Sequence, residues 1–248
     1  MEFYENLVKR DVLLKNISKN KIIVISCDSS GAIGPKERDF LKVNGEIVGK
    51  FMVRSALMEV LATGARPICI SCGLGVEPVP TGSSIIKGIE EEMKEIGMNP
   101  KEDLVISTEK NFPTEQTGLG ITVIGIVNKK DLRIGKSKKG DLIISIGIPS
   151  VGIEVLKNEV ADLRDLIFLL SLNFVHSIIP VGSKGIAYES KVLAMESKLE
   201  IDFFNNIEIN IEKTAGPSTV ILAAIEEKYF EYLKEKIKKP LYKIGKLK

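Results

Sequence analysis

A mixed α/β chain in two halves is the architecture this sequence predicts. Short β-branched runs alternate with amphipathic stretches along its whole length. One lysine-dense, apolar-poor segment, residues 128–139, divides it. The 248 residues are enough for two small domains with real cores, which we place at 1–130 and 131–248.

Each element follows from local pattern. Residues 21–27 (KIIVISC) form a β-branched run that opens into the polar, glycine-bearing stretch DSSGAIG, predicting a strand and then a loop. Residues 48–63 are nearly all apolar and stop at Gly64, predicting a helix with a glycine at its C-terminus. Residues 67–76 read as the next strand, and 83–96, with a Glu/Lys-rich face and Gly97 behind it, as an amphipathic surface helix. Strands are predicted at 104–107 and 120–127. The polar loop KNFPTEQTG between them is long enough to carry function. In the second half, 141–147 and 175–181 read as strands, 161–172 and 186–199 as helices, and 201–211 as extended chain. Residues 217–236 read as a closing helix with proline in its first turn.

Composition excludes several classes. With 35 basic and 33 acidic residues the net charge is +2, too little to steer the chain to nucleic acid or a membrane surface. The N-terminal residues alternate charged and apolar side chains and lack the apolar core of a signal peptide. No apolar run is long enough to span a bilayer. Three cysteines are too few and odd in number for a disulfide framework. The expectation is a cytoplasmic protein.

Four constellations draw attention. Asp28, at the end of a buried strand and followed by Ser29, Ser30, Gly31, Gly34 and Lys36, suits an acid that holds a cation beside backbone N–H groups that meet phosphate. The alternative is an ordinary turn whose polar side chains satisfy the backbone. Glu59 is the last charge on an apolar helix, so it requires a cation, a metal or a rim position. Arg54, five residues earlier, points elsewhere on that helix. Glu109, in Ser107-Thr108-Glu109 after a strand, is either a further oxygen ligand or a solvated cap. Cys69-Ile70-Ser71-Cys72 lacks the second pair of a zinc site and reads as small core residues. His176, the single histidine, stands on an apolar strand without a nucleophile beside it.

Together these segments resemble the superfamily of aminoimidazole ribonucleotide (AIR) synthetase, which includes thiamine-monophosphate kinase. The resemblance runs over about residues 21–245. Its most specific part is GKFMVRSALMEVLATGARP, residues 49–67, where a glycine leads ten residues on to an acid and then to Gly64-Ala65-x-Pro67. Glu59 occupies the place of a metal-binding aspartate in that pattern. Ser107-Thr108-Glu109 stands where the family has G-G-D-T or G-G-E-T, and Gly140-Asp141-Leu142-Ile143 is similar to the opening of its second domain. The wording CDSSGAIGPKERD and STEKNFPTEQTGLGITVIG looks closest to the α-ribazole kinases. Two places depart from the family. The Gly-Asp-Asp segment before the first long strand has no counterpart in the short N-terminus. The D-x-S-D-G motif reads Val181-Gly182-Ser183-Lys184-Gly185.

The resemblance implies a two-domain AIR synthase-like fold, its N-terminal sheet joining a second copy's in a dimeric β-barrel and its C-terminal domain α/β. It implies an ATP-dependent kinase acting on a heterocyclic riboside such as α-ribazole, with Mg²⁺ on Asp28, Glu59 and Glu109. Ser29, Ser30, Gly31, Gly34 and Lys36 would meet nucleotide, and Arg54 and Lys184 would stabilise charge or touch substrate. A thiamine-phosphate kinase, a ring-closing synthetase and a non-catalytic nucleotide-binding protein are the alternatives.

Overall fold

The computed structural model describes residues 10–248, so most of the alternating N-terminal stretch lies outside the described residues. β1 (Leu13–Asn16) and β2 (Lys21–Gly31) form an antiparallel hairpin, and β3 (Ile33–Gly34) with β4 (Leu41–Lys42) a small parallel pair. There follow α1 (Gly45–Ala62), β5 (Arg66–Leu74), α2 (Ser83–Glu95), the one-turn α3 (Pro100–Asp103), β6 (Leu104–Thr108) and β7 (Gly118–Asn128). The sheet runs β1-β2-β7-β5-β6, antiparallel except between β5 and β6. The second half contributes β8 (Leu142–Ile146), α4 (Leu163–Leu170), β9 (Val175–Val181), α5 (Gly185–Glu196), β10 (Ile201–Phe203), β11 (Val220–Ile225), α6 (Phe230–Lys236) and β12 (Leu241–Leu247). These strands form an antiparallel sheet in the order β10-β12-β8-β11-β9.

Helix α1 is the piece both halves share. Asn44 starts it by accepting the Glu46 N–H on its side chain (3.1 Å). Gly64, at φ +83°, ends it, and a side chain there would strike the Asp131 carbonyl. One continuous core joins Val53 and Leu57 of α1 to Ile121 of the first sheet and to Ile144, Ile178 and Ile221 of the second. A separate core lies between α5 and the far face of the second sheet. Arg10, buried, staples the chain start to the second half through two bonds to Glu196 (2.9 Å each) and one to the Ile178 carbonyl (2.8 Å). Among the described residues no helix is long and apolar enough to cross a membrane.

Several sequence expectations need correction. The 217–236 segment is not one helix. Its first part is β11, wholly buried in the middle of the second sheet, and only Phe230–Lys236 is helical. A continuous apolar run such as VILAAI, buried on both faces, has no period to separate strand from helix. Residues 201–211 are strand only as far as Phe203. β2 continues to Gly31, so Asp28, Ser29, Ser30 and Gly31 are ladder residues paired with β7 rather than loop. β1 and β12, short edge or terminal strands, were not foreseen.

The lead glycine of the 49–67 pattern has a steric reason. A Cβ on Gly49 would overlap the Ile85 carbonyl, and one on Gly88 would overlap the Glu46 carbonyl, so the two glycines let α1 and α2 touch backbone to backbone. Gly49→Ala and Gly88→Ala are each expected to destabilise the fold by about 2–3 kcal/mol, read from urea midpoints at unchanged slope. Gly73→Ala, which meets nothing within 4 Å, should fall well short of that loss.

Candidate functional site

Spacing of four puts Ser55 and Glu59 on one face of α1, and the second half of β2 lays Asp28 against it. The Ser55 hydroxyl favours the charged form of Asp28, and its Oγ lies 2.9 Å from Ser218 Oγ of the second half. Asp28 also accepts the Ser29 N–H at 2.8 Å. Glu59 is 9% exposed, and its Oε2 has no hydrogen-bond partner among the described residues. From α5 comes Glu189, 5% exposed. Asp11, just ahead of β1, completes the group: its charge reaches Asp28, Glu59 and Glu189. The charges of four carboxyls, drawn from both halves, thus act on one another at the seam.

Burial first, and repulsion second, raises Asp28, Glu59 and Glu189. Burial pushes Glu59 up to about 8. Arg10 opposes the shift, while Glu189, Asp11 and Asp28 add to it. Glu189 is likewise raised to about 8 by burial and then by Asp11, against Lys184 and Arg10. Asp28 is raised by burial, with the bonds from Ser55 and Ser29 pulling the other way. Buried carboxyls that repel one another either stay protonated or take up a cation.

Hard oxygen donors are the right chemistry for Mg²⁺, and the unpartnered Glu59 oxygen is a vacant donor. Among the described residues no three acids, histidines or cysteines converge into a ready metal cage. Mg²⁺ characteristically takes one or two carboxylates and completes its shell with water and phosphate oxygens. Asp28 and Glu59 therefore fit as partial ligands.

The remaining expected residues separate. Glu109 stands just past the end of β6, the edge strand on the far side of the sheet from Asp28, with its N–H given to the Leu74 and Val76 carbonyls (3.0 Å each). Asp28 lies opposite Ile121, Ile121 opposite Cys72, and Cys72 opposite Ile106, a displacement of about 14 Å across three strand spacings. Glu109 instead accepts the Asn111 and Phe112 N–H groups (2.7 and 3.2 Å), which lower its pKa and cap the following loop. Within one chain it does not join Asp28 and Glu59. Lys36 donates to the Thr114 carbonyl (2.7 Å) and pairs with Glu77 (2.6 Å), so its charge is already engaged. At Gly34, φ is +153° and a Cβ would collide with Thr117, giving it a steric role. Ser29, Ser30 and Gly31 lie in the ladder with β7, where successive N–H groups point to opposite sides, and the Ser29 N–H is given to the Asp28 carboxylate. Arg54 grips Glu92 through two bonds (2.6 and 3.1 Å) inside the α1–α2 contact and serves that contact. Lys184, at the start of α5, bonds the Tyr188 hydroxyl (3.2 Å), and its charge reaches Glu189 and Asp11 beside the seam.

Sequence reasoning missed Asp11 and Glu189. An acid just before the first strand and one five residues past Lys184 were the available signals. Cys72 is buried, its thiol pushed up to about 11 by that burial, while Cys69 is only half-buried three residues back along the strand.

Residues 9–127 match the family of AIR synthase related proteins, N-terminal domain. No curated protein matches by sequence. Among solved structures, thiamine monophosphate kinase from Aquifex aeolicus superposes with a TM-score of 0.67 at 12% identity, over 96% of this chain and 88% of that one. PurL of Thermotoga maritima with ADP gives 0.66 at 16%, over 96% of this chain and 42% of that one. Hydrogenase maturation protein HypE in complex with ATP gives 0.63 at 16%, over 91% and 76%. At these identities the likeness is one of fold, and it extends through both halves.

The raised carboxyl at Glu59 has a signed consequence for stability. Below about pH 4.5 folded and unfolded chains both hold its proton. Between about 4.5 and 8 the unfolded chain releases it and the folded chain does not, so stability falls as pH rises through that window. In the absence of divalent ions, Glu59→Gln should therefore be more stable than the parent at pH 8, by on the order of 2 kcal/mol, with the gap closing toward pH 4.5. Parallel urea-midpoint profiles for the two proteins would show that the carboxyl is not held neutral.

Proposed function

We propose that this chain, whose residues 9–127 match the AIR synthase related N-terminal domain and whose fold is similar to that of thiamine monophosphate kinase, is an ATP-dependent phosphotransferase working at the seam between its halves. It transfers the γ-phosphoryl group of ATP to a hydroxyl of a small heterocyclic riboside. The observation that carries the reading is the unpartnered, buried Glu59 carboxyl facing Asp28, Asp11 and Glu189. In support, similar folds hold ATP in HypE and ADP in PurL, and a thiamine monophosphate kinase has been solved with AMPPCP and TMP.

Phosphoryl transfer needs positioning and charge neutralisation rather than a covalent intermediate. A magnesium ion, when bound, neutralises phosphate charge. Asp28 and Glu59 would hold it, and Ser55 and the Ser29 N–H fix the Asp28 carboxylate for that task. Arg10, locked on Glu196, keeps a fixed positive charge behind Glu59. Lys184 replaces an acid of the family motif with a cation beside Glu189, suited to an anionic or hydroxyl-rich acceptor rather than a further metal ion. The sequence resemblance names α-ribazole as the acceptor to try first.

We also infer a homodimer. The face of the first sheet turned away from α1 carries an apolar row across four strands, Leu13, Ile25, Ile124 and Cys69 in register. No element of the described residues covers it. An apolar sheet face of this kind calls for a partner, and the same sheet of a second copy supplies the barrel that the family resemblance implies.

Glu59→Ala and Asp28→Asn are each expected to lower ADP release from Mg²⁺–ATP at least tenfold with the assembly intact. α-Ribazole, thiamine phosphate and formylglycinamidine ribonucleotide form the acceptor panel. Unchanged turnover in both variants removes these acids from the mechanism, and stabilisation by Mg²⁺–ATP without ADP release from any acceptor identifies a binding protein instead. Ile124→Glu should convert the dimer to a monomer in light scattering coupled to gel filtration.

A further inference from the structure

A cavity of about 650 Å³ opens where the segment joining the two halves folds over the C-terminal end of α1. Leu61 lines it, and two residues along a helix is 200° of rotation, so it opens on the side of α1 away from Glu59. None of the four seam acids contributes to it. The lysine-dense segment, which the proposed function leaves without a task, supplies most of its wall.

The wall is unusually basic for a chain of nearly balanced charge. Lys130, Arg133, Lys136 and Lys138 line it with His176, against one acid, Asp131. The Asp131 carboxylate accepts a bond from the Asn128 amide at 2.9 Å. Arg133 donates to the Leu170 carbonyl (2.8 Å), and burial lowers its pKa, so its guanidinium sits where an anion would relieve it. The His176 Nδ1–H donates to Asp141 (2.8 Å), which leaves Nε2 to accept from the Lys138 ammonium (3.0 Å) and holds that ammonium at the wall. Glu226 approaches His176 at 3.8 Å but is itself paired with Lys228 (2.9 Å). Between the cations lie Leu61, Leu132 and Leu170.

We propose that this cavity is a second ligand site, for a phosphate-bearing compound with an apolar ring, of about nucleotide size. Concave volumes of roughly 300–1,000 Å³ suit small ligands. Clustered Lys and Arg select phosphate, and leucines between them select a ring. A nucleic-acid surface would need a broad basic stripe, which a net charge of +2 does not supply. The site draws on α1, the joining segment and β9, so its occupant would tie the two halves together. The proposal is independent of catalysis at the seam.

Calorimetry on the full chain in EDTA, without divalent ions, tests it with AMP, inorganic phosphate and a short single-stranded oligonucleotide. AMP is expected to bind saturably at one per chain, and phosphate alone at least tenfold more weakly. The double variant Lys130→Ala/Lys136→Ala changes two exposed side chains and should weaken AMP about tenfold or more. Glu59→Gln should leave AMP binding unchanged, which separates this site from the seam. Equal AMP affinity in parent and double variant overturns the proposal. So does loss of AMP binding in Glu59→Gln, binding of the oligonucleotide alone, or no saturable binding of any probe.

Discussion

Burying α1 between two sheets is the constraint from which the rest follows. A helix enclosed on nearly every side must be apolar on nearly every side, and α1 is beyond its first turns, where Glu46 and Lys50 lie; Arg54 and Glu59 are its buried charged interruptions. Those interruptions are solved differently. Arg54 carries its charge into a two-bond pair with Glu92 and shares it with Lys50 at 3.4 Å, so its burial is compensated locally. Glu59 has no such partner and stays largely protonated at neutral pH until something positive arrives. A lone buried carboxyl is costly to a core, and its position at the seam is what the proposed metal-holding role rests on.

The same burial explains the crossing of α1 and α2. With two glycines at the contact the helices approach backbone to backbone, which brings Glu92 within reach of Arg54. It also leaves α2 to cover α1 on one side while the second sheet and α4 cover another. The carboxyl of Glu59 is then left toward β2 and α5, where Asp28 and Glu189 await it. Packing thus chooses which face of α1 becomes chemical.

Much of this was legible in the residues, and what was not has identifiable causes. The β-branched run at 21–27, the apolar helix ending at Gly64 and the amphipathic 83–96 stretch each had a period or a stop signal, and each appears as the element expected, though β2 runs on to Gly31 and α1 begins at Gly45. VILAAI had neither, because a central antiparallel strand covered on both faces loses the alternation that marks half-buried strands. Asp28 and Glu59 were visible as acids in the wrong surroundings. Lys36 and Arg54 looked equally available in sequence, and only the fold shows Glu77 and Glu92 holding them. Asp11 and Glu189 were invisible for the opposite reason. Each sits in an ordinary polar context locally, and each matters only through charges brought close by tertiary packing.

Glu109 shows the limit of reading spacing as proximity. It ends a strand on the same sheet as Asp28, and in sequence the two looked like ligands of one ion. Parallel pairing of β6 with β5 sends it to the opposite edge, three ladders from β2. Any arrangement that unites them must cross from one copy to another, and the apolar face turned away from α1 belongs to the same sheet that carries both. If two such sheets close on each other, the far edge of one can be carried toward the near edge of its partner. Dimerisation would then bear on the chemistry itself, linking the seam acids to the apolar row of Leu13, Ile25, Ile124 and Cys69.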